Sequence, residues 1–310
     1  MIKVEHLRKC FGELTAVDDL SFEVEQGEIF GLLGPNGAGK TTTISMICGV
    51  LRPDSGRVLI GRKDIWLEPK AVKRLLGVVP QEIAISEDLT ARDNLSFWGS
   101  LYGLRGPELR HRVDDALTTV GLGDRATDKV EQFSGGMKRR LNLCMGLLHR
   151  PELLLLDEPT VGIDPQARLN ILEVIRSVAN TGTTVLYTTH YLEEAQDLCD
   201  RLAIIDHGKI LATGSPEELT RIAGKGEVLR LSGSFAEQQV RDLVQAMAGS
   251  LTVLGAEQGS AVLAVDPGGS SLLQVLPQLL DSELAIDDVS IQQPSLQAAF
   301  LSLTGRELRD

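Results

Sequence analysis

The stretch 28-EIFGLLGPNGAGKTTTISMI-47 decides how this chain folds. Glu28 to Gly34 is a short apolar run that reads as a buried strand, and Lys40 onward has helical spacing. Between them, Gly34-Pro35-Asn36-Gly37-Ala38-Gly39-Lys40-Thr41 fits the pattern G-x-x-x-x-G-K-[ST], after a strand and opening a helix as that pattern requires. Such a loop wraps phosphates in backbone N–H groups. Lys40 is placed to reach the β- and γ-phosphates, Thr41 to ligate Mg²⁺, and Thr42 follows in the first turn.

Further strands of the same kind lie downstream. "LLLLDEP" (Leu153–Pro159) sets Asp157 and Glu158 at the carboxyl end of an apolar strand, the edge of an open α/β sheet where ligands bind. There Asp157 suits a Mg²⁺ ion and Glu158 suits orienting and polarising an attacking water. "GVVPQ" ends on Gln81, a ligand for Mg²⁺ or the water, or alternatively a surface amide. "VLYTTH" ends on His190, a γ-phosphate contact, or alternatively a capping or core histidine.

Between the strands, "PQARLNILEVIRSVANTG" reads as a helix with Pro165 in its first turn and Gly182 at its end. Strands buried on both faces and separated by helices imply a mostly parallel sheet. From about 88 to 148 strand patterns disappear and helical ones dominate, which reads as a helical insert. "RLAIIDHGKILATG" reads as a hairpin closing a domain of residues 1–222. Residues 223–310 then give strand, helix, strand, strand, helix, strand and a final helix, the order of a small α+β ferredoxin-like module.

Charge and composition exclude several classes. The 310 residues carry 31 Lys+Arg against 43 Asp+Glu, a formal net charge of −12. Residues 222–310 alone hold 5 Lys+Arg and 11 Asp+Glu, a net of −6, so neither part presents the basic face expected of a nucleic-acid binder. Cys10, Cys48, Cys144 and Cys199 form no C-x-x-C pair, which suggests neither a zinc site nor a disulfide framework. No apolar run approaches the roughly 20 residues of a membrane span, so any membrane role requires a partner.

One stretch breaks a local rule. In "EQFSGGMKRRLNL" (Glu131–Leu143), Lys138, Arg139 and Arg140 follow a Ser-Gly-Gly helix start, although cations are unfavourable at the positive end of a helix dipole. This loop has no Gly-Lys-Thr of its own, and Arg139 and Arg140 read as strengthening a local positive field or facing solvent or acidic partners.

The ordered set "GPNGAGKT", "VVPQ", "FSGGM", "LLLLDEP", "VGIDP" and "TTH" resembles the nucleotide-binding subunit of ATP-binding cassette transporters over roughly residues 2–219. The resemblance implies a P-loop ATPase using ATP and Mg²⁺. It implies that Ser134, Gly135 and Gly136 bind the γ-phosphate of ATP held by a second copy of the chain, with Asp164 at the dimer contact. Met137 stands where Gln is common, and Ile163 where Leu is common. Phe11 falls where an aromatic ring stacks on adenine, the alternative being a core Phe. The insert and the tail "PSLQAAFLSLTGRELRD" are similar to exporter-type subunits of the daunorubicin-resistance kind. These work at the cytoplasmic face of the membrane with a separate permease, for which Trp98 and Tyr102 are candidate contacts or helix-core residues. The alternatives are a soluble cassette ATPase acting on ribosomes or nucleic acid, and an ATPase regulated by a ligand of the C-terminal module.

Overall fold

The structure, a computed structural model, describes residues 1–224, 226–247, 249–266, 271–282 and 284–305. The expected C-terminal module includes residues 306–310, which lie outside the described residues. The chain divides into two compact units, Met1–Ile210 and Leu211–Asp310.

The first unit opens with β1 (Ile2–Phe11) and β2 (Leu14–Val24), followed by β3 (Ile29–Leu33), α1 (Lys40–Ile47), β4 (Ser55–Ile60), β5 (Lys63–Asp64), α2 (Pro69–Lys73) and β6 (Leu76–Val79). The helical insert comprises α3 (Ala91–Leu101), α4 (Gly106–Thr119) and α5 (Gly135–Leu147). Strands then resume as β7 (Leu153–Asp157), α6 (Pro165–Asn180), β8 (Thr184–Thr189), α7 (Leu192–Leu198) and β9 (Arg201–Asp206), and β10 (Lys209–Gly214) begins in this unit and ends past its boundary.

Two sheets result. The sequence shows the strands near the N-terminus without showing their partners: they form a separate antiparallel sheet in the order β2-β1-β4-β5. The second sheet runs β10-β9-β3-β8-β7-β6, with parallel pairing from β9 through β6. Every residue of β3, β7 and β8 is buried, which explains their unbroken apolar text. Ile44, Met46 and Ile47 of α1 join Ile2, Val4, Phe22 and Phe30 in one core, so the helix after the Gly-rich loop is clad on several sides.

The insert has a core of its own. Leu95 of α3, Val113 and Leu117 of α4, and Leu141, Cys144 and Leu148 of the α5 region meet there. Trp98 packs against this cluster, so the exposed aromatic of α3 is its neighbour Phe97, at 58% exposure. Tyr102 lies flat on His149, with ring centroids 3.9 Å apart.

The second unit contains α8 (Pro216–Thr220), β11 (Val228–Gly233), α9 (Glu237–Ala246), β12 (Leu251–Glu257), β13 (Ser260–Val265), α10 (Leu272–Leu280), β14 (Ile286–Gln292) and α11 (Leu296–Thr304). Its strands pair antiparallel in the order β12-β13-β11-β14, the ferredoxin-like arrangement. One sheet face packs Leu229, Leu231 and Leu263 against Val240 of α9 and Val275 and Leu279 of α10. The other face packs Val228, Leu254 and Val262 against Ala298, Ala299 and Leu301 of α11.

Candidate active site

The Gly-rich loop leaves β3 between β8 and β9. Gly39 caps α1 in the left-handed region (φ 101°), and a Cβ there would lie 2.5 Å from the Ala16 carbonyl oxygen. Only glycine fits that conformation and that approach. The first turn of α1 holds no acidic residue and its cap supplies no side chain, so no side chain of the helix start satisfies its first N–H groups. Asn36, Gly37 and Thr41 are exposed, whereas Gly34, Ala38 and Lys40 are buried.

Lys40 folds back over the loop. Its Nζ donates to the carbonyls of Gly34 (2.7 Å) and Pro35 (3.0 Å) and stands 3.0 Å from Glu158 Oε1. Gln81 Nε2 donates to the other oxygen, Glu158 Oε2, at 3.1 Å. His190 Nδ1 lies 3.4 Å from Oε1 and, although buried, finds no hydrogen-bond partner. Lys40, Gln81 and His190, read from three separate motifs, therefore converge on one carboxylate. β8, which His190 follows, adjoins β3 directly, whereas Gln81 comes from the far edge strand β6, beyond β7.

Asp157 and Glu158 are organised by a residue that sequence reading missed. Thr188 Oγ1 accepts from Glu158 N (2.9 Å) and donates to Asp157 Oδ1 (2.7 Å). Its signal was present in "TTH", one position before Thr189. Burial raises the Asp157 carboxyl above its ordinary range, opposed only in part by the hydrogen bond from Thr188 and by Thr41. Glu158 itself is left-handed, φ 45°, which is unfavourable for a non-glycine and more so before Pro159.

The donor set fits Mg²⁺. The Thr41 hydroxyl acts on the buried Asp157 carboxylate, a desolvated anion with a hard oxygen near it. Among the described residues no group of three or more His, Cys, Asp or Glu forms a metal cage. A cation here would take few protein oxygens and complete its shell from phosphate and water, as Mg²⁺ does.

The second group of sequence candidates gathers elsewhere. Ser134 caps α5, its Oγ accepting from Met137 N at 3.3 Å. Asp164 caps α6, accepting from Ala167 N at 2.9 Å. The two helix starts touch: a Cβ on Gly136 would lie 2.6 Å from Ala167 Cβ and 4.0 Å from Asp164 Oδ2, while Gly135 faces open space. Among the described residues, Ser134, Gly135, Gly136 and Asp164 share no hydrogen bond or ion pair with the Lys40–Glu158 group. Phe11 is 49% exposed at the end of β1, so it is not a core residue. Its strand end is pinned by Asp54, which accepts from Cys10 N (2.7 Å) and Lys9 Nζ (2.8 Å).

The three residues of the basic run do three different things. Lys138 pairs with Glu87, and Arg140 Nη1 donates to the Val120 carbonyl at 2.9 Å. Arg139 turns inward and is 2% exposed. None of the three is directed at the Ser-Gly-Gly loop by these contacts.

A buried network that sequence reading also missed supports His190. Glu194 accepts from Tyr187 OH (2.6 Å) and Thr189 Oγ1 (2.7 Å), and its Oε1 lies 3.5 Å from Arg168 Nε. Arg168 in turn lies over Tyr191, whose ring neighbours that of His190 at 4.2 Å. Burial first, and the Glu194 charge second, push the Tyr187 hydroxyl well above its ordinary value.

Comparison with known proteins bears on the whole chain. The family described as ABC transporter matches residues 17–161. The linearmycin resistance ATP-binding protein LnrL of Bacillus subtilis is 44% identical over 316 residues, covering 100% of each chain. The daunorubicin/doxorubicin resistance ATP-binding protein DrrA of Streptomyces peucetius is 37% identical, covering 100% of this chain and 94% of that one. The Nod factor export ATP-binding protein I of Ralstonia nicotianae is 39% identical, covering 100% and 95%. Among solved structures, the ATP-binding subunit of an ABC transporter aligns with a TM-score of 0.64 and 30% identity over 71% of this chain and 92% of that one. A dimeric ATP-binding cassette in a post-hydrolysis state with ADP and Pi aligns with a TM-score of 0.63 and 25% identity over 69% and 98%. A Gly-rich loop beside a carboxylate-tipped parallel sheet, together with relatives matching end to end, shows that the chain belongs to the ABC transporter family, as one of its ATPase subunits.

Proposed function

We propose that the chain drives export of a drug, antibiotic, polysaccharide or lipid-like molecule through a separate membrane permease, by closing on ATP as a pair and opening on hydrolysis. The observation that carries the catalytic part is the convergence of Lys40, Gln81 and His190 on Glu158, beside the Gly-rich loop.

In this reading Gly34, Pro35, Asn36, Gly37, Ala38 and Gly39 wrap the phosphates, with Lys40 on the β- and γ-phosphates and Thr42 in the same helix turn. Thr41, Asp157 and Gln81 hold Mg²⁺, which neutralises developing charge on the phosphates when bound. Glu158 orients the attacking water and accepts its proton, and His190 offers its unpartnered Nδ1 to the γ-phosphate. Phe11 presents its exposed ring to adenine. Ser134, Gly135 and Gly136, with Asp164 beside them, meet the ATP of a second copy. The dimeric cassettes among the aligned structures support such pairing. Residues 223–310 form an accessory module.

No described helix is long and apolar enough to cross a membrane, which fits a chain that reaches the membrane through its permease, on the cytoplasmic face. The relatives named for linearmycin, daunorubicin and Nod factor support export and the class of cargo. Affinity purification of the full chain from solubilised cells tests the reading. It should recover a permease and show Mg²⁺-dependent ATP hydrolysis. Recovery of ribosomes with no membrane protein would overturn it.

A further inference from the structure

We propose that Arg139 is a positioning residue that ties the Ser134–Gly136 helix to Glu158 and Gln81 of the same chain. The inference rests on the reading of Glu158 as the group that activates water.

Arg139 lies five residues after Ser134 on α5, roughly 7.5 Å along the helix axis. Its guanidinium is buried, and every partner is a main-chain carbonyl. Nε donates to Pro159 O at 2.5 Å, Nη2 to Glu158 O, and Nη1 to Gln81 O at 2.5 Å and more distantly to Pro80 O at 3.4 Å. Among the described residues no carboxylate pairs with it. A buried cation held by carbonyls alone is an expensive way to fill space. Arginine's rigid planar fork suits it, because the donors must point in several fixed directions at once.

What the fork holds is also specific. Glu158 keeps its left-handed backbone because the peptide is gripped on both sides: Thr188 Oγ1 takes its N–H, and Arg139 and Val161 N take its carbonyl. A residue in a sparsely populated conformation persists only when its surroundings over-determine it. Gln81, whose amide donates to Glu158, has its own carbonyl on the same guanidinium. One side chain therefore sets both partners of that contact. Asn142, a helix turn further along, reinforces the hold: its Nδ2 donates to Pro80 O (3.3 Å) and its Oδ1 accepts from Ala84 N (3.0 Å).

The same helix thus begins at the loop that meets the second copy's ATP and carries the fork that places its own chain's catalytic carboxylate. A shift of α5 on engaging that ATP is passed to Gln81 and Glu158 through hydrogen bonds.

The test is steady-state ATP hydrolysis by the full-length chain carrying Arg139→Lys, Glu158→Gln or both, with thermal unfolding to confirm folding. Arg139→Met is a second variant, and Arg139→Lys, which keeps the cation, decides if Arg139→Met fails to fold. Arg139→Lys should lower kcat about 10- to 100-fold, the effect of misplacing a catalytic group, with KM for ATP within about threefold of wild type. The double variant should be little slower than Glu158→Gln, because Arg139 acts through Glu158. A kcat for Arg139→Lys near wild type, or losses that multiply in the double variant, would overturn the proposal. Undiminished turnover in Glu158→Gln would instead remove the reading on which it rests.

Discussion

Replacing Glu158 with Gln should tighten ADP binding, a result opposite to that expected if Glu158 simply lines the nucleotide site. All three protons of Lys40 are occupied in the structure, by Gly34 O, Pro35 O and Glu158 Oε1. Phosphate must therefore displace one of them. The pair is 3.0 Å apart with side chains only 4% and 6% exposed, so solvent screens it little. At an effective dielectric near 20 the gross attraction is about 5.5 kcal/mol. An amide oxygen in the same place still accepts from the ammonium but carries no charge of its own, and losing the ionised acceptor weakens the contact by about 1 to 1.5 kcal/mol. Releasing Lys40 should be easier by that amount, which corresponds to roughly tenfold in affinity. ADP is the ligand of choice because wild type and variant both leave it unchanged. Calorimetric titration of the two proteins with ADP measures the difference, and the empty variant should melt about 1.5–2.5 °C lower, the shift that about 1 to 1.5 kcal/mol produces in a chain of 310 residues. Equal or weaker ADP binding by Glu158→Gln would refute the view that this ion pair must open for phosphate to enter.

Ser134→Arg should leave binding of ATP to the single chain within about twofold while abolishing hydrolysis, since in the proposed pairing the loop would contact only the second copy's phosphate; normal turnover would contradict that assignment. Gly136→Ala should destabilise the fold by about 1–3 kcal/mol through its clash with Ala167, whereas Gly135→Ala, facing open space, should change stability little, as urea unfolding would show. Burial, with the Arg112 charge, holds the His149 pKa below its ordinary 6.5, opposed in part by the Leu76 carbonyl. The unfolded chain therefore takes up that proton first, and stability should fall as pH drops below 6.5. His149→Gln should flatten this part of the pH–stability curve.

How much of this was legible in the sequence follows from what each feature demands. Gly34 to Thr41 were readable because close backbone approach restricts residue type, and Asp157, Glu158 and His190 because they sit at or just past the carboxyl ends of two neighbouring strands of one parallel sheet. The partners of β1 and β4 were not: an alternating strand states which face is buried, and nothing in it states that Ile2 pairs with Ile60. Of the two readings of Trp98, permease contact or helix core, the packing fits the second and Phe97 holds the exposed side, since neighbouring aromatics on a helix differ by one step of phase and only the packing of the insert selects between them. Arg139 was least legible of all. An arginine in a run of basic residues looks solvated, and its partners are carbonyls, which carry no side-chain signature. Glu194 was hidden for a similar reason, lying in an acidic pair, Glu193-Glu194, of which only one member turns inward.

The separation of Lys40 from Ser134 within one chain has a genetic reading. For a cassette that pairs as proposed, a copy defective at Lys40 and a copy defective at Ser134 are each inert alone. Mixed, they assemble one site bearing both lesions and one bearing neither, so two null alleles complement. Either allele beside wild type should in turn be partly dominant, because every mixed pair spoils one of its two sites.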